Sequence, residues 1–142
     1  MDMRQITPTY FVSPQIEAED IADIAAAGIT TVICNRPDGE IPAFCQADAI
    51  ETAALAAGLT FVRLPLTHQT MTPDNVELQA QTVSQSAGPV LAYCASGTRS
   101  TVIWALGQAA ELGVDKVLAA ARSGGYELEN LRPALQAIAS PA

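Results

Sequence analysis

Basic residues are scarce in this chain. Seven Lys and Arg stand against fifteen Asp and Glu, for a net charge of −8. With no basic stripe to neutralise phosphates, general nucleic-acid binding is excluded. Lysine occurs once, as Lys116, and the other cations are Arg4, Arg36, Arg63, Arg99, Arg122 and Arg132. Any anionic ligand must therefore be held by local donors against an unfavourable overall field. Long apolar runs are also missing, so no membrane span or membrane partner is expected. The opening Met1-Asp2-Met3-Arg4-Gln5 lacks the basic and apolar regions of a secretory leader, and a cytoplasmic location is expected. Aromatics make up 5% of residues and histidine occurs once, as His68. The cysteines, Cys34, Cys45 and Cys94, are odd in number and show no metal-ligand spacing. That pattern fits free thiols in a reducing compartment, with no metal or cofactor.

What is present is a core. Of 142 residues, 49% are apolar, enough for one domain spanning 1–142. Short apolar runs at Ile6–Val12 (broken by Pro8), Thr30–Cys34, Thr60–Leu64 and Val90–Tyr93 read as strands. Between and after them, helical patterns cover Glu17–Ala27, Gln46–Ala57, Pro73–Ser86, Ser100–Leu112, Asp115–Ala121 and Leu128–Ile138. Thr72-Pro73 supplies a cap and first-position pair, and Gly28, Gly58 and Gly113 supply stops. The alternation predicts an α/β sandwich with a largely parallel central sheet. Sites in such sheets lie beyond the carboxyl ends of the strands. Three segments leave such ends: Asn35–Glu40, Pro65–Met71 and Cys94–Arg99.

The last of these carries the chemistry. Cys94-Ala95-Ser96-Gly97-Thr98-Arg99-Ser100 follows the apolar run Val90–Tyr93 and leads into a helical pattern. A tight loop opening a helix points backbone N–H groups inward above the positive helix end. A thiolate placed there is stabilised and becomes a better nucleophile. Arg99 closes the loop with a fixed fork of donors suited to a tetrahedral oxyanion. Cys94 and Arg99 are the candidate catalytic pair. Ala95, Ser96, Gly97, Thr98 and Ser100 are the candidate anion-binding loop.

The segment Val90–Ser100, followed by Leu112-Gly113, resembles the active-site region of rhodanese-type sulfurtransferases. The stretches Ala27–Ile33 and Val62–Leu66 resemble dual-specificity protein phosphatases. Together with Asn35-Arg36-Pro37-Asp38-Gly39-Glu40, the combination resembles the phosphatase-like domain of beta-lactamase-hydrolase-like proteins. The resemblance implies a cysteine-phosphatase-like fold. It also implies fusion, in some members, to a metallo-β-lactamase-like sulfur dioxygenase, which would then be a partner in sulfide and persulfide metabolism.

The spacing divides two readings. Cysteine phosphatases place five residues between cysteine and arginine, whereas four intervene between Cys94 and Arg99. A tighter loop suits a small group, such as a sulfur atom with its oxyanion. The phosphatase pattern also needs an Asp soon after the Leu64-Pro65-Leu66 equivalent, where Thr67 and His68 stand. The first expectation is accordingly a thiol-based sulfurtransferase acting on a small anionic or sulfane-sulfur substrate, with the sulfur carried as a persulfide on Cys94. The alternative is a phosphatase-like hydrolase forming a phosphocysteine on Cys94. A third reading is a non-catalytic anion- or redox-sensing module. Further candidates are His68 as an acid or substrate contact, Arg36 as a second anion contact, Asp38 as its partner or that of Arg99, and Asp74 as an acid. Ser100 is a candidate to bond the Cys94 sulfur, Cys34 to act as a resolving thiol, and Tyr126 to cover the rim.

Overall fold

The computed structural model describes residues 1–140. Its first strand, β1 (Arg4–Thr7), turns through Pro8-Thr9 into β2 (Tyr10–Ser13) as an antiparallel pair. Proline cannot donate to a ladder and so falls at the turn between them. Then come α1 (Ile21–Ala26), β3 (Thr31–Cys34), α2 (Ala47–Ala56), β4 (Thr60–Arg63), α3 (Pro73–Gln85), β5 (Val90–Tyr93), α4 (Thr98–Leu112), α5 (Val114–Ser123) and α6 (Arg132–Ala139). The sheet order is β1-β2-β5-β3-β4, and β2, β5, β3 and β4 run parallel.

The two central strands are buried at every position, which is why they read as continuous apolar runs. Successive side chains point to opposite faces and feed two cores. Ile33, Val90 and Ala92 join Ile103, Trp104, Val117 and Leu135 beneath α4, α5 and α6. Val32, Cys34, Leu91 and Tyr93 join Ile21, Ile24, Ile50 and Ala54 beneath α1 and α2. Cys34 and Tyr93 are register partners and share the α1/α2 face.

Most element boundaries lie within two residues of the expectation, and three of the differences have a clear local reason. The first helix is divided into a 3-10 turn (Ala18–Asp20) and α1. There the Asp20 carboxylate accepts from the Glu17 N–H at 2.9 Å and forms a capping box with it. The α4 helix begins at Thr98, so Arg99 lies inside its first turn. The last helix opens as a 3-10 turn (Glu129–Leu131) before α6, with Pro133 in the first turn, where a missing N–H costs nothing.

Among the described residues, no helix is long and apolar enough to cross a membrane.

Candidate active site

The Cys94 loop bridges the end of β5 and the start of α4. Its conformation depends on Gly97. That residue has φ +95°, and a Cβ there would lie 2.0 Å from the Tyr126 hydroxyl oxygen. Both the left-handed backbone and the close approach require glycine. Tyr126 uses that proximity: its hydroxyl donates to the Ser96 carbonyl at 2.8 Å, which pins the loop from the segment after α5. The Arg4 guanidinium in turn sits 5.3 Å from the centre of the Tyr126 ring.

Within the loop, the Gly97 N–H donates to the Cys94 sulfur at 3.1 Å. The Ser96 hydroxyl accepts from the Thr98 N–H at 3.3 Å. The helix start leaves the Arg99 and Ser100 N–H groups without an intrahelical partner. Cys94 is fully buried, and its sulfur lies against the N–H of Gly97, the residue that precedes this positive end.

Behind the loop lies a buried polar network. Ser100 donates its hydroxyl to Asn35 Oδ1 at 2.8 Å, so it serves the loop's foundation and not the Cys94 sulfur. The Asn35 amide donates to the Leu64 carbonyl at 2.9 Å and to Gln79 Oε1 at 3.0 Å. Gln79 returns a bond to Asn35 Oδ1 at 3.1 Å and donates to the Tyr10 hydroxyl at 3.1 Å. Tyr10 closes the network by donating to the Ser100 carbonyl at 2.7 Å, with its ring stacked on Trp104. Burial pushes the Tyr10 phenol up, which keeps it a donor. Four elements are thus locked to the first turn of α4, and with them the direction of Arg99.

Arg99 reaches into a cavity of about 470 Å³ lined by Glu40, Thr67, His68, Ala95, Ser96 and Thr98. Its guanidinium donates to Glu40 Oε2 at 2.9 Å, to Glu40 Oε1 at 2.8 Å and to the Leu66 carbonyl at 2.8 Å. The fork is therefore satisfied by a carboxylate in two-point contact. Glu40 Oε1 is shared with Arg36 Nε at 3.2 Å. The Arg99 guanidinium, followed by Arg36, holds the Glu40 carboxyl below the usual carboxylate range. Arg99 itself is raised, chiefly by the Glu40 contact.

The remaining candidates are placed differently. His68 lines the cavity into which Arg99 reaches, together with Ala95, Ser96 and Thr98 of the loop. Arg36 and Asp38 line a second cavity of about 300 Å³ with Cys34 and Arg63. Arg36 pairs with Glu40 and Gln15, and Asp38 bonds neither Arg36 nor Arg99. Instead Asp38 Oδ1 accepts from the Ala47 N–H at 2.9 Å and caps α2. Asp74 lies in the first turn of α3 and lines a surface depression with Glu77, Leu78 and Gln81, apart from Cys94. The Cys34 thiol donates to the Arg36 carbonyl at 3.4 Å and faces α1 and α2, so the geometry does not make it a resolving partner for Cys94. Among the described residues, no cluster of His, Cys, Asp and Glu has the arrangement to hold a metal.

Glu40 is the site residue that local pattern reading passed over. It belongs to the quoted Asn35–Glu40 loop, but its partner is 59 positions away. Asn35 and Gln79 escaped for the same reason, since a lone polar residue at a strand end or on a helix carries no local mark of burial.

Comparison with known proteins identifies the family and the fold. Residues 2–111 match the family described as beta-lactamase hydrolase-like protein, phosphatase-like domain. Curated relatives named beta-lactamase hydrolase-like protein include one from Agrobacterium fabrum, 33% identical over 105 residues (74% of this chain). Another, from Xylella fastidiosa, is 29% identical over 130 residues (90% of this chain). The chain spans only 24% and 30% of those two proteins' lengths. Among solved structures, the candidate phosphatase nma1982 from Neisseria meningitidis superposes with TM-score 0.86 at 35% identity, covering 97% of this chain and 99% of that one. PTPMT1 superposes with TM-score 0.71 at 18% identity over 96% of this chain and 95% of its own, a likeness of fold. The fold is a dual-specificity-phosphatase-like α/β sandwich. The chain belongs to the family of phosphatase-like domains of beta-lactamase hydrolase-like proteins.

Proposed function

We propose that the protein is a cysteine-dependent hydrolase of phosphate monoesters. The observation that carries this reading is one cavity shared by the Cys94 loop and the Arg99 fork, with an N–H on the nucleophilic sulfur. The Cys94 thiolate attacks phosphorus while the bond from phosphorus to the ester oxygen breaks. The electron pair leaves on that oxygen, which takes a proton. Water then attacks the phosphocysteine, the phosphorus–sulfur bond breaks, and phosphate and the thiolate are released. Arg99 and the unpaired amides at the start of α4 bear the charge of the transferring group.

Two of the cavity's side chains can carry a proton, His68 and Glu40. Glu40 is held ionised by its arginine partners, Arg99 and Arg36, which leaves His68 as the donor to the departing oxygen. Asp74 has no part in this scheme.

The family match and the nma1982 superposition support hydrolysis better than the sulfur transfer that the short loop first suggested. The volume argument also weakens, because a cavity of about 470 Å³ is ample for a phosphate ester.

Incubation with an aryl phosphate tests the reading directly. Turnover that Cys94→Ser abolishes, with a phosphocysteine trapped by acid quench and seen in the intact mass, is the expected result. No turnover by the wild-type chain, together with a gain of one sulfur atom from thiosulfate that Cys94→Ser removes, would overturn it in favour of sulfur transfer.

A further inference from the structure

The Arg99 fork is already occupied. Glu40 presents two carboxylate oxygens at 2.8 and 2.9 Å to the two terminal nitrogens, the arrangement in which a bound oxyanion would offer two of its own oxygens. Arg99 is 12% exposed, and its third hydrogen bond goes to the Leu66 carbonyl, so both terminal nitrogens of the fork are engaged by Glu40 and the backbone. A second cation stands behind the carboxylate. Arg36 touches the same Oε1 and donates to the Glu40 carbonyl at 3.4 Å, and Gln15 holds its other end at 3.3 Å.

We propose that Glu40 is a specificity-determining residue: a tethered competitor for Arg99, displaced onto Arg36 only by an oxyanion that can replace both of its contacts at once. The assignment rests on the anion-binding reading of the cavity at the Cys94 loop and Arg99 and names the ligand class that this cavity admits. A tethered carboxylate acts at high effective concentration, and the observed affinity of a ligand falls by the fraction of molecules in which Arg99 is free. Anions offering a single acceptor leave one guanidinium N–H unpaired and do not compensate the loss of Glu40. Anions with two or three terminal oxygens, such as inorganic phosphate and phosphate monoesters, do. Arg36 keeps the displaced carboxylate from being stranded beside the incoming negative charge.

Calorimetric titration of the 142-residue chain with inorganic phosphate reads this directly. Glu40→Gln keeps the size of the side chain and removes its charge, so phosphate should bind at least tenfold more tightly. Glu40→Ala, which leaves no competing group, should show the same sign. Arg36→Gln removes the landing place and should weaken phosphate binding severalfold. Glu127→Gln, which breaks an exposed pair with Arg122, is the charge-matched control and should leave phosphate binding unaltered. In parallel, the phosphate concentration that shields Cys94 from iodoacetamide should fall in both Glu40 variants.

Unchanged or weaker phosphate binding in both Glu40 variants, with thermal melts like the wild type, would overturn the proposal and make Glu40 a prop for Arg99. The result is independent of catalysis. Absence of aryl phosphate turnover in every form sinks the hydrolase reading and leaves the binding comparison intact.

Discussion

Cys34 ends β3 and Cys94 follows β5, on neighbouring parallel strands whose register sets Cys34 opposite Tyr93. Both thiols are buried; Cys34 lines a cavity with Arg36 and Arg63, whereas the loop that follows Cys94 lines one with Arg99. Their surroundings then diverge. Cys94 enters a glycine loop that turns a backbone N–H onto its sulfur and opens a fifteen-residue helix. After Cys34 the chain continues into Asn35-Arg36-Pro37, and the thiol gives its proton to a carbonyl. Burial pushes the Cys34 thiol up, and the nearby carbonyl does not reverse it. A strand end in a parallel sheet is thus not by itself enough to make a cysteine a candidate nucleophile. The helix terminus and the loop amides make the difference.

The largest effect expected is on turnover of an aryl phosphate. Cys94→Ser should reduce it by about a thousandfold or more, as loss of a nucleophile does. Cys34→Ala should stay within about threefold, with a stability loss on the order of 1 kcal/mol for the small cavity created. Comparable losses in steady-state rates for the two variants would erase the contrast between the thiols.

Arg99→Lys is next. Lysine retains the charge but has one point of donation where the site is built for a fork held by Glu40 and the Leu66 carbonyl. A loss of roughly a hundredfold in kcat/KM is expected, the size seen when one oxyanion donor is removed. A loss below fivefold would mean that the helix terminus carries the anion by itself.

Gly97→Ala tests the loop and not the chemistry. The left-handed backbone and the contact with Tyr126 should together cost about 2 kcal/mol or more, read from urea melts. Tyr126→Phe, which gives up only the hydrogen bond to the Ser96 carbonyl, should cost about 1 kcal/mol. In the double variant the missing hydroxyl relieves part of the clash, so the two losses should sum to more than the double variant shows. Strict additivity would mean that the loop does not rest on Tyr126.

These variants also mark what could be read from the chain beforehand. The four strands of the parallel sheet, the α3 start at Thr72-Pro73 and the whole Cys94–Ser100 loop are local features. Apolar runs, a cap and a glycine turn write themselves in consecutive residues. Glu40 on Arg99, Tyr126 on Ser96 and Ser100 on Asn35 join residues 59, 30 and 65 positions apart. Nothing in the immediate neighbourhood of Glu40 separates it from the other acids in an acid-rich chain. Asp38 attracted attention because it sits in a recognisable turn, and that turn explains it: the carboxylate caps α2. The short Cys94–Arg99 spacing pointed toward a small sulfur substrate because volume was inferred from loop length. The cavity is set as much by Thr67, His68 and Glu40, from two other loops, as by the loop itself.

The smallest effect, and the one most specific to the comparison, is the pH dependence of Cys34. Its raised value means that the folded chain holds the proton more firmly than the unfolded chain, whose thiol ionises near 9.0. Iodoacetamide reacts with thiolates, so Cys34 should remain unmodified at neutral pH and react only as pH climbs beyond 9.0. The linkage has a definite sign. Below the unfolded value both states are protonated and stability is unaffected. As pH rises from there through the folded value, the unfolded state releases its proton first, and the wild-type chain loses stability that Cys34→Ala keeps. Peptide mapping after alkylation at stepped pH, with melts of the two proteins on the same series, gives both readings. Cys34 modified at neutral pH would show that its cavity is wet and charged enough to ionise a thiol. Since both thiols are buried, the distinction between the two strand ends would then rest on Arg99 and the Gly97 amide alone.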